Sequence, residues 1–69
     1  MKRFGDIRNG TLFRVDPTGS IWYRKTPSSG AEGDKYNAIK LYNKNNPFAG
    51  KLVNIDLHEE VWIEEVENV

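Results

Sequence analysis

Residues 11 to 25 read TLFRVDPTGSIWYRK. Thr11, Phe13 and Val15 alternate with Leu12 and Arg14, the period of two that a half-buried β-strand requires. Ser20 to Lys25 resumes the same alternation. Between them, Asp16-Pro17-Thr18-Gly19 has the composition of a tight reverse turn, with Pro where φ near −65° is wanted and Gly where φ is free. Together the two segments predict a β-hairpin. Working outward, residues 26 to 35 (TPSSGAEGDK) lack any large apolar side chain and predict a loop. Asn37 to Asn43 alternates again, with Ile39 and Leu41 on one side and Ala38, Lys40 and Tyr42 on the other. Residues 43 to 50 (NKNNPFAG) form a second loop, in which Pro47 argues against a central strand. Leu52 to Leu57 and Val61 to Val66 complete the apolar segments. Leu57, Val61, Glu64 and Glu65 would also fit a short amphipathic helix, but Val61, Trp62, Ile63 and Val66 are β-branched or aromatic and favour a strand. The expectation is an all-β chain forming a single small domain over residues 1 to 69. Its five antiparallel strands would close into an SH3-like barrel or form a strongly bent sheet.

The 69 residues include no cysteine and one histidine, so neither a disulfide nor a recognisable tetrahedral zinc set can support so small a core. Tight packing or self-association must do so. Ten basic residues balance ten acidic ones. The distribution is uneven: residues 1 to 25 carry +4, residues 26 to 50 carry +1, and residues 51 to 69 carry −5. Three readings are open: the two ends lie side by side and partly neutralise each other, subunits meet in a head-to-tail or isologous contact, or the basic part forms a cationic anion site. Met1-Lys2-Arg3 precedes a mixed polar segment, and no apolar run approaches the ~18 residues of a membrane helix, so a cytoplasmic protein with no membrane partner is expected. Zero net charge and the acidic tail also weigh against a nucleic-acid binder.

The opening FGDIRNGTLF, residues 4 to 13, places an apolar pair, Phe4 and Ile7, ahead of the turn dipeptide Asn9-Gly10, as a chain would to tuck its end beneath a barrel. This opening, the hairpin with Tyr23 and Lys25, Asn37-Ala38-Ile39, and the closing Leu52-Val53-Asn54-Ile55-Asp56 before an acidic tail resemble short accessory proteins of bacteriophages. Some small β-rich oligomers of that kind are counter-defence factors that sequester host immune nucleotides. The resemblance implies a viral accessory protein acting in the host cytoplasm.

The inventory for catalysis is thin, and no enzyme activity or cofactor is expected. His58 lies beside Glu59 and Glu60 in a polar turn. Neighbouring carboxylates in a strand point to opposite faces and cannot share a proton. Aromatic placement says more. If Ile21, Tyr23, Ile39, Leu41, Val53, Ile55, Val61 and Ile63 fill the interior with Phe13 and Val15, then Trp22, Tyr42 and Trp62 face outward with Leu12, Arg24 and Lys40. Three uses of that face remain open: loops folding back over it, a homo-oligomer interface, or a ligand surface. The ligand candidates are Trp22, Arg24, Lys25, Lys40 and Tyr42, and the interface candidates are Leu12, Trp62 and Glu64. A non-catalytic oligomer capturing a small anionic ligand is the leading expectation. A host-protein inhibitor or adaptor working through the acidic C-terminal strand comes second, and a single-stranded nucleic-acid binder third.

Overall fold

The computed structural model describes residues 2–31 and 33–64. Its strands are β1 (Lys2–Arg3), β2 (Leu12–Arg14), β3 (Tyr23–Ser29), β4 (Tyr36–Leu41), β5 (Gly50–Val53) and β6 (Glu60–Ile63), with a 3₁₀ turn at Phe4–Asp6. They form one antiparallel sheet in the order β1-β6-β2-β3-β4-β5. The fold is all-β as expected, but the sheet has six strands and is open, so the five-stranded closed barrel is corrected. The added strand is β1, where the tucked N-terminal end pairs Lys2 with Val61 and Arg3 with Glu60. The acidic last strand therefore lies between the two strands of the basic front.

Strand neighbours sit about 4.8 Å apart, so β6 and β4 would be roughly 14 Å apart in a flat sheet. Here Val61 of β6 and Ala38 of β4 share one buried cluster with Phe4, Ile7 and Phe13. The sheet curls around this cluster. Phe4 meets Phe13 edge-on at 5.2 Å, and Phe13 stacks on its cross-strand partner Tyr23 at 5.3 Å. The buried Phe4 and Ile7 bear out the tucked opening segment.

The predicted hairpin is present, with Phe13 opposite Tyr23, and its turn is built as its composition requires. Asp16 accepts the Thr18 backbone N–H and hydroxyl, each at 3.0 Å, and the Gly19 N–H reaches the Asp16 carbonyl. Those Thr18 bonds, with Arg14 nearby, hold the Asp16 carboxyl below its ordinary value of 3.8.

Several expectations are corrected. β3 continues through Thr26, Pro27 and Ser28 to Ser29, where a loop was expected. An irregularity in its pairing with β4 between Lys25 and Ser29 accommodates the proline, which has no N–H to give. The fourth expected strand ends at Val53 rather than Leu57. The last runs from Glu60 to Ile63, and Glu65 and Val66 lie outside the described residues. Ile21, expected inside, is exposed. Most consequential is the parity of β4. Ala38 is fully buried in the main core, while Ile39 and Leu41 face the other side of the sheet. Lys40 accordingly shares the core-side face, opposite Tyr23, instead of standing beside Arg24.

Two measurements test these assignments. Ala38→Leu should overpack the core and destabilise by about 1–3 kcal/mol in chemical denaturation; a neutral result would return Ala38 to the outer face. For Asp16, a carboxyl lowered by folding contributes stability above its unfolded value near 3.8 and loses it as pH falls through the lower folded value. Asp16→Asn should therefore melt below the parent near neutrality, and the gap should close in strong acid.

Candidate functional site

Two surfaces gather the chemically capable side chains. The first is a cleft of about 750 Å³ at one end of the curled sheet. One wall is the continuation of β3 from Lys25 to Ser28, and the other is the crossing segment from Asn54 to His58, with Phe4, Asn9 and Asn37 between them.

Its walls are fixed by backbone geometry. After β5 the chain leaves one edge of the sheet and must reach β6 near the other. On the way, the Leu57 carbonyl accepts the Gly5 N–H and the Glu59 carbonyl accepts the Phe4 N–H, each at 2.9 Å. Asn37 fixes the middle of the crossing: its Nδ2 donates to the Ile55 carbonyl at 2.9 Å and its Oδ1 accepts the Ile55 N–H at 2.8 Å. A buried side-chain amide thus replaces one backbone rung beyond the end of β5.

Lys25 and Thr26 give the cleft its chemistry. The Lys25 ammonium donates to the Phe4 carbonyl at 3.0 Å and the Ile7 carbonyl at 2.7 Å, and lies 4.7 Å from the Phe4 ring centroid. It has no carboxylate within ion-pair distance among the described residues. Thr26 is buried and its hydroxyl has no hydrogen-bond partner among the described residues. Leaving a buried polar group unsatisfied costs about 1–3 kcal/mol. At the far wall, the Asp56 carboxylate accepts the His58 backbone N–H at 2.8 Å. The cleft lining therefore combines a cation, a carboxylate and neutral amides.

The second surface is the outer face of the sheet. Trp62 lies opposite Arg14, and Leu12 opposite Arg24, which is itself opposite Ile39. The loop after β4 folds over this face. Its Pro47 carbonyl accepts the Arg24 Nε–H at 2.6 Å, its Phe48 ring lies 5.1 Å from the Arg24 guanidinium carbon, and its Lys44 reaches the Trp22 ring at 4.5 Å. Arg14 stands 5.0 Å from the same Trp22 ring and donates to the Gly19 carbonyl. Loop cover is the use the structure shows for Trp22. Glu64 pairs with Lys44.

The five expected ligand residues are thus not one constellation. Trp22 and Arg24 belong to the outer face, Lys25 lines the cleft, Lys40 is exposed on the core-side face, and Tyr42 is exposed at the start of the loop. Leu12, Trp62 and Glu64, the expected interface residues, do share the outer face. Sequence reasoning missed Asn37 and Thr26. A polar residue beside Ala38 within an alternating strand is the available signal for Asn37; Thr26 has none, because residues 26 to 35 have the composition of a loop.

Among the described residues, no group of three His, Asp or Glu side chains is placed to hold a metal, and no helix is long and apolar enough to cross a membrane. Set against protein-family models, curated proteins and solved structures, the chain matches none.

Asn37→Ala should leave both Ile55 backbone groups unpaired, costing about 1–3 kcal/mol, and should accelerate hydrogen exchange at the Ile55 amide. Unchanged exchange there would mean that Asn37 does not hold the crossing segment.

Proposed function

We propose that this chain is a non-catalytic binding module that captures a small anionic ligand in the cleft beside Lys25. One observation carries the reading: among the described residues, a half-buried ammonium without a carboxylate partner lines a concave space whose wall includes the buried Thr26, its hydroxyl without a hydrogen-bond partner. The opposite wall refines it. Asp56 and His58 favour a ligand whose far end donates hydrogen bonds, so a nucleotide fits, with phosphate toward Lys25 and base or ribose toward Asp56. A viral accessory protein that sequesters a host signalling nucleotide is the specific form of this proposal. A small, curled all-β sheet agrees with a small binding domain. Self-association belongs to the same proposal, with Leu12 and Trp62 of the outer face as its contact. The adaptor reading has less support, since Glu64 of the acidic strand is already engaged by Lys44.

Ligand screening by thermal shift and amide chemical-shift mapping tests the proposal. A ligand at a hundred times its Kd stabilises by about 2.7 kcal/mol, and each kcal/mol raises Tm by roughly 4–8 °C in a domain of this size. A nucleoside monophosphate should raise Tm and move the amides of Ser28, Asn54 and His58 while leaving those of Trp22 and Lys44 in place. His58→Ala and Ser28→Ala, both exposed positions, should weaken binding without unfolding the chain. Shifts confined to Trp22, Arg24 and Lys44 would move the site to the outer face, and no response to any of a panel of phosphates and dicarboxylates would overturn the proposal.

A further inference from the structure

The free side of β5 points to a second binding surface. β5 ends the sheet and pairs only with β4 among the described residues, so alternate residues of Gly50–Val53 direct their backbone N–H and C=O groups away from it. On the core-side face, Lys40 and Lys51 stand directly opposite each other. Like charges in that position destabilise a sheet, and among the described residues neither lysine has a hydrogen-bond or carboxylate partner. On the outer face of the same edge, Leu52 is 52% exposed, beside Ile39 in the ladder, and Phe48 of the adjoining loop is 80% exposed.

Lysines on edge strands commonly serve to block unwanted pairing. They do so here against a second copy: β5 bears Lys51, and the opposite edge, β1, consists of Lys2 and Arg3, so edge-to-edge contact between copies joins like charges in every combination. The same lysines favour one other kind of strand. We infer that the β5 edge takes an extended acidic peptide segment of a partner protein by strand addition. A carboxylate on its core-side face meets Lys51, with Lys40 behind it on the same rung, and the intervening apolar side chains meet Leu52 and Phe48. Backbone bonds supply the register, and the lysine pair selects the charge. This surface is separate from the cleft, and its test stands whether or not the cleft binds an anion.

The probe is a fluorescent peptide, acetyl-Gly-Glu-Val-Glu-Val-Glu-Gly-amide, read by anisotropy against the full chain with amide shifts as a map. Binding should move the Lys51, Leu52 and Val53 amides and weaken with salt. It should fall at least tenfold with Lys51→Glu, and equally for a peptide with Lys in place of Glu. N-methylation of alternate peptide nitrogens should also abolish it, a change that leaves the protein untouched. Equal affinity for the methylated peptide would reduce the contact to charge alone and overturn strand addition. No binding at about 1 mM peptide in low salt would also overturn the inference. So would a self-associating chain that becomes monomeric, with the edge freed, on truncation after Glu64, since the occupant would then be a second copy.

Discussion

A lysine ammonium resting on an aromatic ring holds this fold together. The Phe4 side chain is fully buried, and Lys25 both covers its ring and binds the carbonyls of Phe4 and Ile7. Drawing an ammonium out of water is costly, and two carbonyl acceptors and a ring face offset that cost. The consequence is positional. With Phe4 fixed, its own N–H and that of Gly5 locate the Glu59 and Leu57 carbonyls, which bring the crossing segment to β6. The strand β6 then fits between β1 and β2, and the cleft is the space left beside that segment. A domain with no disulfide thus uses one long side chain from β3 to secure its N-terminal end, its last strand and its candidate site.

The second constraint is that both faces of the sheet require cover. The curl supplies it on the core side. On the outer face, the loop from Asn43 to Ala49 supplies it over Arg24 and Trp22. That loop organises itself: Asn43 and Asn46 each accept, through the side-chain carbonyl, the N–H two residues on, and the Asn46 N–H returns to the Asn43 carbonyl. Lys44, Pro47 and Phe48 are thereby presented to Trp22 and Arg24. The outer cations consequently rest on aromatic rings and carbonyls, although the buried Arg14 Nε has no hydrogen-bond partner among the described residues. Arg14 and Arg24 are tied to carbonyls and rings rather than to carboxylates.

Much of this was legible in the sequence, and the misses share one cause. Local chemistry gave the hairpin at Asp16 to Gly19, the tucked Phe4 and Ile7, and strand rather than helix at Val61 to Ile63. The parity of β4 is hidden from the sequence because its larger side chains are not the ones that enter the main core. Phe4, Phe13 and Tyr23 fill the main core from other elements, so the position between them admits only the methyl of Ala38, and the larger Ile39 and Leu41 go to the face that a loop can cover. Pro27 and two serines suggested a loop, yet pairing with β4 outweighs that composition once an irregularity absorbs the proline. The cleft draws its walls from residues 4, 9, 25 to 28, 37 and 54 to 58. Lys25 could be named as a cation in advance, but no local pattern reveals which distant segments will surround it.

Charge ties these features together. The chain sums to zero with a basic front and an acidic back, and the strand order sets β6 between β1 and β2, with Arg3 opposite Glu60. Lys44, from the middle of the chain, neutralises Glu64. The charges left over are unevenly placed. Lys40 and Lys51 lie at the β4–β5 end, several strands from β6, where they stand opposite each other and Lys40 also stands opposite Tyr23. Lys25 meets carbonyls instead of a carboxylate. A protein neutral overall therefore retains two separate positive regions, one inside a cleft and one along an open edge. One region is enclosed among the residues of the cleft, whereas the other runs beside β5, which ends the sheet among the described residues.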